Sequence, residues 1–73
     1  MHLDEVKDGM RVRVTHLSDT KGFMISPKNT SVRRVGATGT IRGYVPGHGG
    51  DVWWMKHDDA DEVGAYVFTE FEP

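Results

Sequence analysis

The side chains of this chain with the most chemistry to offer are its five arginines, its four histidines and the carboxylates of Asp58-Asp59-Ala60-Asp61-Glu62. Arg11 and Arg13 alternate on one strand, so they share a face, and Arg42 is placed to be their cross-strand neighbour. Together with Arg33 and Arg34 they suit phosphate contact, with an aromatic ring beside them for base stacking. The plainer reading is a solvated face balanced by acidic residues. His2, His16, His48 and His57 lack paired metal-ligand spacing, so no metal site is expected. Counting from Asp59, Asp61 is third, Gly64 sixth and Glu70 twelfth, as in an EF-hand loop. Val63 occupies the fifth position, which needs an oxygen ligand, and strand pattern follows where a helix should, so the match reads as coincidence.

Pro46-Gly47-His48-Gly49-Gly50 has neither phosphate-loop nor dinucleotide spacing and reads as a hairpin loop. No nucleophile motif accompanies the serines and threonines. No catalytic residue and no cofactor are therefore assigned.

The elements that must position these groups are mostly β. Met10 to His16 alternates strictly, with Met10, Val12 and Val14 on one side and Arg11, Arg13 and Thr15 on the other. Thr38 to Val45 is a second strand, in which Gly39 and Gly43 allow bending or close backbone approach. Val52 to His57 is the third and Val63 to Thr69 the fourth. Phe71 is expected to return to the core in a short final strand or turn. Residues 1–9 form a lead-in. Residues 17–35 form a long loop without period, carrying Phe23, Met24 and Ile25 among turn residues, with room for a β-excursion or a single helical turn.

The chain has 73 residues, net charge −2 and no cysteine. That is one domain over residues 1–73, near the lower size for an independent core, with no disulfide to staple it. Balanced charge gives no general argument for a polyanion partner. The start has no basic stretch leading into an apolar run, and no segment reaches membrane-spanning length. The expected location is cytoplasmic.

Gly9-Met10-Arg11-Val12-Arg13-Val14, Gly36-Ala37-Thr38-Gly39-Thr40-Ile41 and Met55-Lys56-His57-Asp58-Asp59 resemble short bacterial and phage proteins with an SH3-like barrel. The resemblance covers about residues 9–71. It departs at His57, where those sequences often carry tryptophan, and in the acidic turn, which is longer. Gly36 to Ile41 is also similar to part of a KOW motif, the nucleic-acid-associated form of the fold. What the resemblance implies is an all-β, small SH3-like β-barrel of about five strands with a long loop after the first. It also implies Trp53, Met55 and His57 inward, with Val52, Trp54 and Lys56 outward.

Trp53 and Trp54 are neighbours on a strand and must point to opposite faces. Trp53 is expected to be much the more buried. Phe23, Met24, Ile25, Trp54 and Tyr66 are the expected partner-binding surface, as an apolar anchor with a polar rim. The resulting expectation is a non-catalytic module, a phage or bacterial accessory protein, that binds a protein partner or a second copy of itself. The alternative is a KOW-like nucleic-acid binder using Arg11, Arg13, Arg33, Arg34 and Arg42.

Overall fold

Alternating apolar residues turn the first strand inward: Val12 and Val14 are buried while Arg11 and Arg13 are exposed. In the computed structural model, which describes residues 2–73, this strand is β1 (Arg11–Val14). It is followed by a helical turn α1 (Pro27–Thr30), β2 (Thr38–Tyr44), β3 (Val52–His57), β4 (Val63–Val67) and β5 (Phe71–Glu72). Short 3-10 turns occupy Leu3–Glu5 and Phe68–Glu70. The five strands form one antiparallel sheet in the order β4-β3-β2-β1-β5, with β4 and β5 as its edges. The expected first strand is trimmed at both ends. The expected fourth strand ends at Val67, where the chain turns through Phe68–Glu70 so that Phe71 can pair beside Val14.

Two glycines shape β2. Gly39 lies against the Lys56 backbone, and a Cβ there would stand 2.2 Å from the Lys56 carbonyl oxygen. Close approach of β2 to β3 therefore requires this residue. Gly43 has φ +91°, and the β2–β3 register shifts by one residue between Ile41 and Tyr44. The bulge bends the strand and sends Tyr44 outward, edge-on to Trp53 with centroids 6.1 Å apart.

The inner face of the sheet carries the main core of Val6, Val12, Val14, Ala37, Ile41, Met55, Tyr66 and Phe71. A second cluster lies on the other face. Val45, Val52 and Ala65 are buried there beneath Phe23, Ile25, Trp54 and Val67. The long loop folds back as a strap over this end of the sheet. Both tryptophans are consequently half-buried. The expected contrast between them is overturned: they do face opposite sides, but Trp53 packs against the main core and Trp54 against the strap-covered cluster.

Tyr66 and His57 are paired inside the main core, whereas the buried Trp53 indole N–H has no partner among the described residues. The Arg34 amide N–H donates to the Tyr66 hydroxyl oxygen (3.2 Å), and the Tyr66 oxygen lies 2.8 Å from His57 Nε2. His57 Nδ1 lies 3.0 Å from the Glu62 carbonyl oxygen. An amide can only donate and a carbonyl only accept. The neutral chain is therefore Arg34 N–H to Tyr66 O, Tyr66 O–H to Nε2, and Nδ1–H to Glu62 O. Burial pushes the Tyr66 phenol above its ordinary value.

The loop is held by a buried charge. Glu70 is wholly buried, and its carboxylate accepts from Ser18 N (2.6 Å), Ser18 Oγ (2.9 Å) and Val67 N (2.7 Å). Its ion-pair partner is Arg33, whose side chain is also buried. The Arg33 guanidinium lies 5.4 Å from the Phe23 ring centroid and 5.5 Å from that of Tyr66.

Two outcomes follow from these buried groups. Glu70→Gln leaves the Arg33 charge buried without its counter-ion and should lower unfolding free energy by about 3–5 kcal/mol in urea titrations. A Tyr66 phenol raised in the folded state contributes stability that is complete below about pH 10 and is lost as pH rises through the folded value. Tyr66→Phe should remove this alkaline decline. It should also cost about 1–3 kcal/mol at neutral pH, because His57 Nε2 and the Arg34 amide lose their partner.

Candidate functional site

The outer face of the sheet holds a groove of about 650 Å³ with Trp54 in its lining. Alternation along β3 puts Lys56 on the same face as Trp54, two residues on. Arg42 follows Ile41, the partner of Met55, and borders the groove from β2. The opposite wall is α1, started by Pro27 after Ser26, which presents Lys28 and Asn29. Asn29 Nδ2 donates to the Val63 carbonyl oxygen (2.7 Å) and so ties this wall to β4. Asp61 and Glu62, from the β3–β4 turn, close one end.

The electrostatics of this face are mixed. Lys56 Nζ donates to the carbonyl oxygens of Ala60 (2.9 Å) and His57 (3.2 Å), which holds the acidic turn in place. Among the described residues, Lys28 and Arg42 have no carboxylate within 4 Å, and Asp61 and Glu62 have no basic nitrogen within that distance. The groove thus offers an aromatic wall, two uncommitted cations and two uncommitted carboxylates. It can hold an extended chain with apolar and charged groups in turn.

Beyond the groove, Arg11 forms a two-pronged pair with Asp58, both nitrogen–oxygen distances being 2.6 Å. Thr38 Oγ1 donates to the same carboxylate (2.7 Å). The Arg11 and Thr38 hydrogen bonds hold the Asp58 carboxyl well below the usual carboxylate range, and Asp58 raises the Arg11 guanidinium in turn. The hydrogen bond from Arg34 lowers Asp59 in the same way.

Set against the expected surface, these positions separate. Met24 is 87% exposed at the crest of the strap, whereas Phe23 and Ile25 turn down into the second cluster. Trp54 lines the groove. Tyr66 is removed from the surface set: it is 0% exposed, because its strand position faces the main core and its hydroxyl completes the His57 network. The arginine set also divides. Arg33 is buried against Glu70, and Arg11 and Arg34 are committed to Asp58 and Asp59. The residues across from Arg11 and Arg13 are Thr40 and Thr38, so Arg42 is not their partner and belongs to the groove instead. Arg13 is exposed. The EF-hand spacing is not assembled, since Asp59 pairs with Arg34 and Glu70 with Arg33. Among the described residues, no group of three or more histidine and carboxylate side chains is arranged to hold a metal ion, and no helix is long and apolar enough to cross a membrane.

Lys28, Asn29, Lys56, Asp61 and Glu62 were not among the expected site residues. Lys56 was legible, since it shares a strand face with Trp54. The Ser26-Pro27 helix start could have placed Lys28 on an ordered turn. Comparison with protein-family models, with the curated proteins and with the solved structures finds no match to this chain.

The lowered carboxyl of Asp58 sets a pH dependence. A carboxyl lower in the folded than in the unfolded chain stabilises above about pH 4, and that contribution is lost as pH falls through the folded value. Chemical denaturation between neutral and strongly acidic pH should show this acid limb, and Asp58→Asn should flatten it. An unchanged limb in the variant would mean that the pair contributes nothing in solution.

Proposed function

We propose that this protein is a non-catalytic, cytoplasmic interaction module with the architecture of a small SH3-like barrel, and that it binds a protein segment along the Trp54 groove. The strand order and the 3-10 turn between β4 and β5 are in keeping with that architecture. The observation that carries the binding reading is the half-buried Trp54 within a concavity bordered by uncommitted charges of both signs. A large aromatic ringed by polar groups is the usual anchor of a protein interface. Mixed charge suits an extended polypeptide better than a polyanion. Met24 extends the same surface onto the strap. The bound chain is a segment of a phage or bacterial partner, or of a second copy.

A KOW-like nucleic-acid reading has one observation in its favour. Lys28, Arg42 and Lys56 surround Trp54, an arrangement that serves stacking with phosphate contact.

A displayed random-peptide library, selected on the wild-type protein, separates the two readings. Selected peptides should lose roughly 30-fold in affinity to Trp54→Ala, as for an interface hot spot, and less to Arg42→Ser. Far-ultraviolet circular dichroism checks that both variants fold. Light scattering across protein concentration reports self-association. Titration of fluorescent single-stranded DNA at two salt concentrations is the counter-probe. If no peptide is selected while DNA binds in a salt-dependent way that Arg42→Ser abolishes, the nucleic-acid reading replaces the protein one.

A further inference from the structure

Between Asp19 and Ser26, among the described residues, one hydrogen bond joins the strap to the sheet and its loops. It runs from the Met24 amide N–H to Nε2 of His48, in the β2–β3 loop (3.2 Å). The other ring nitrogen, Nδ1, lies 3.1 Å from the Pro46 carbonyl oxygen. The two contacts together specify one form of the ring. The carbonyl requires a proton on Nδ1, and the amide requires a bare Nε2. His48 also meets Phe23 edge to face, with centroids 5.7 Å apart.

We propose that His48 is a proton-sensitive latch for the strap. A second proton on the ring goes to Nε2, the atom that accepts from Met24. Two N–H groups then oppose each other and the single hydrogen bond is lost. Phe23 and Ile25, only half-buried, are left to hold the strap. Release uncovers Val45 and Val52, which adjoin Trp54 in the second cluster.

The charged groups on the packed elements do not offset this change. No carboxylate lies within 4 Å of His48 among the described residues. Arg33, which stacks on Phe23, is a cation already paired with Glu70. Asp51, in the same loop, meets His48 through its backbone amide, which donates to the His48 carbonyl oxygen. Asp19, Lys21 and Lys28 lie along the strap and α1, and none of them pairs with the imidazole. Histidine is the side chain that gains a proton in mildly acidic water. The latch stands on this geometry alone. Its effect, lengthening the apolar floor beside Trp54, rests on the groove reading proposed above.

The test uses the protein without any partner. Amide hydrogen-exchange protection factors are measured by nuclear magnetic resonance from about pH 7.5 to about pH 5, the range in which imidazoles ordinarily titrate. The Met24 amide should lose roughly five- to tenfold in protection across this range, the worth of one net hydrogen bond. The Ile41 amide, bonded to the Met10 carbonyl in the sheet, is the internal reference and should keep its protection. In His48→Gln, whose amide does not titrate, Met24 protection should be independent of pH. Constant Met24 protection in the wild type overturns the latch. So does an equal loss at Met24 and Ile41, which would mean that the strap opens only with the whole fold, or an undiminished pH effect in His48→Gln. None of these results bears on whether the groove binds a peptide, which the library selection decides separately.

Discussion

The ion pair of Arg33 with Glu70 is the constraint around which the molecule is organised. A carboxylate withdrawn from water must be matched by donors, and Glu70 has four: two from Ser18, one from Val67 and the Arg33 guanidinium. The four donors come from three separate parts of the chain. Ser18 opens the long loop, Arg33 closes it, and Val67 ends β4. One carboxylate therefore fixes both ends of the loop against the last turn of the protein. Arg33 is in turn seated between Phe23 of the strap and Tyr66 of the core. The charge that pins the loop also joins the two apolar clusters.

Those clusters lie on opposite faces of one sheet, and this arrangement determines what remains for a partner. The inner face is closed by its own side chains and by the Tyr66–His57 network. The outer face is divided. Near Val52 and Val67 the strap covers it, and beyond Trp54 it is open to solvent between α1 and β2. Trp54 stands at the boundary, half under the strap and half in the groove. Any ligand that reaches it must accommodate the strap, so the two features act as one surface.

Much of this arrangement was legible in the sequence, and the parts that were not have physical reasons. Strict alternation identified the inward valines of β1. Bulky residues bounded by a glycine loop and an acidic turn delimited β3 at Val52 and His57. In β4 the period of two fails, because Val63, Ala65 and Val67 are as apolar as the intervening set with Tyr66, and both faces are covered. The pattern therefore allows Tyr66 an outward position, whereas the residue points into the core. The tryptophans were assigned to opposite faces correctly, but opposite faces mean unequal burial only when one face is bare. Arginine and glutamate ordinarily stay at the surface. Nothing local in the sequence pairs Arg33 with a residue 37 positions away. The groove was partly visible, through Trp54 and Arg42, and was obscured where its wall came from a four-residue helical turn within a loop.

The sheet order has a consequence for how the chain matures. β1 is synthesised first, yet it lies between β2 and the final strand, and Ser18 is 52 residues from the carboxylate that anchors it. The β2–β3–β4 meander contains only sequential neighbours joined by short connections. The long loop depends instead on a contact of large sequence separation, since Arg33 has no counter-ion until Glu70 is in place. A chain in which that contact has not formed keeps the meander but carries the strap unanchored, with Phe23, Met24 and Ile25 uncovered.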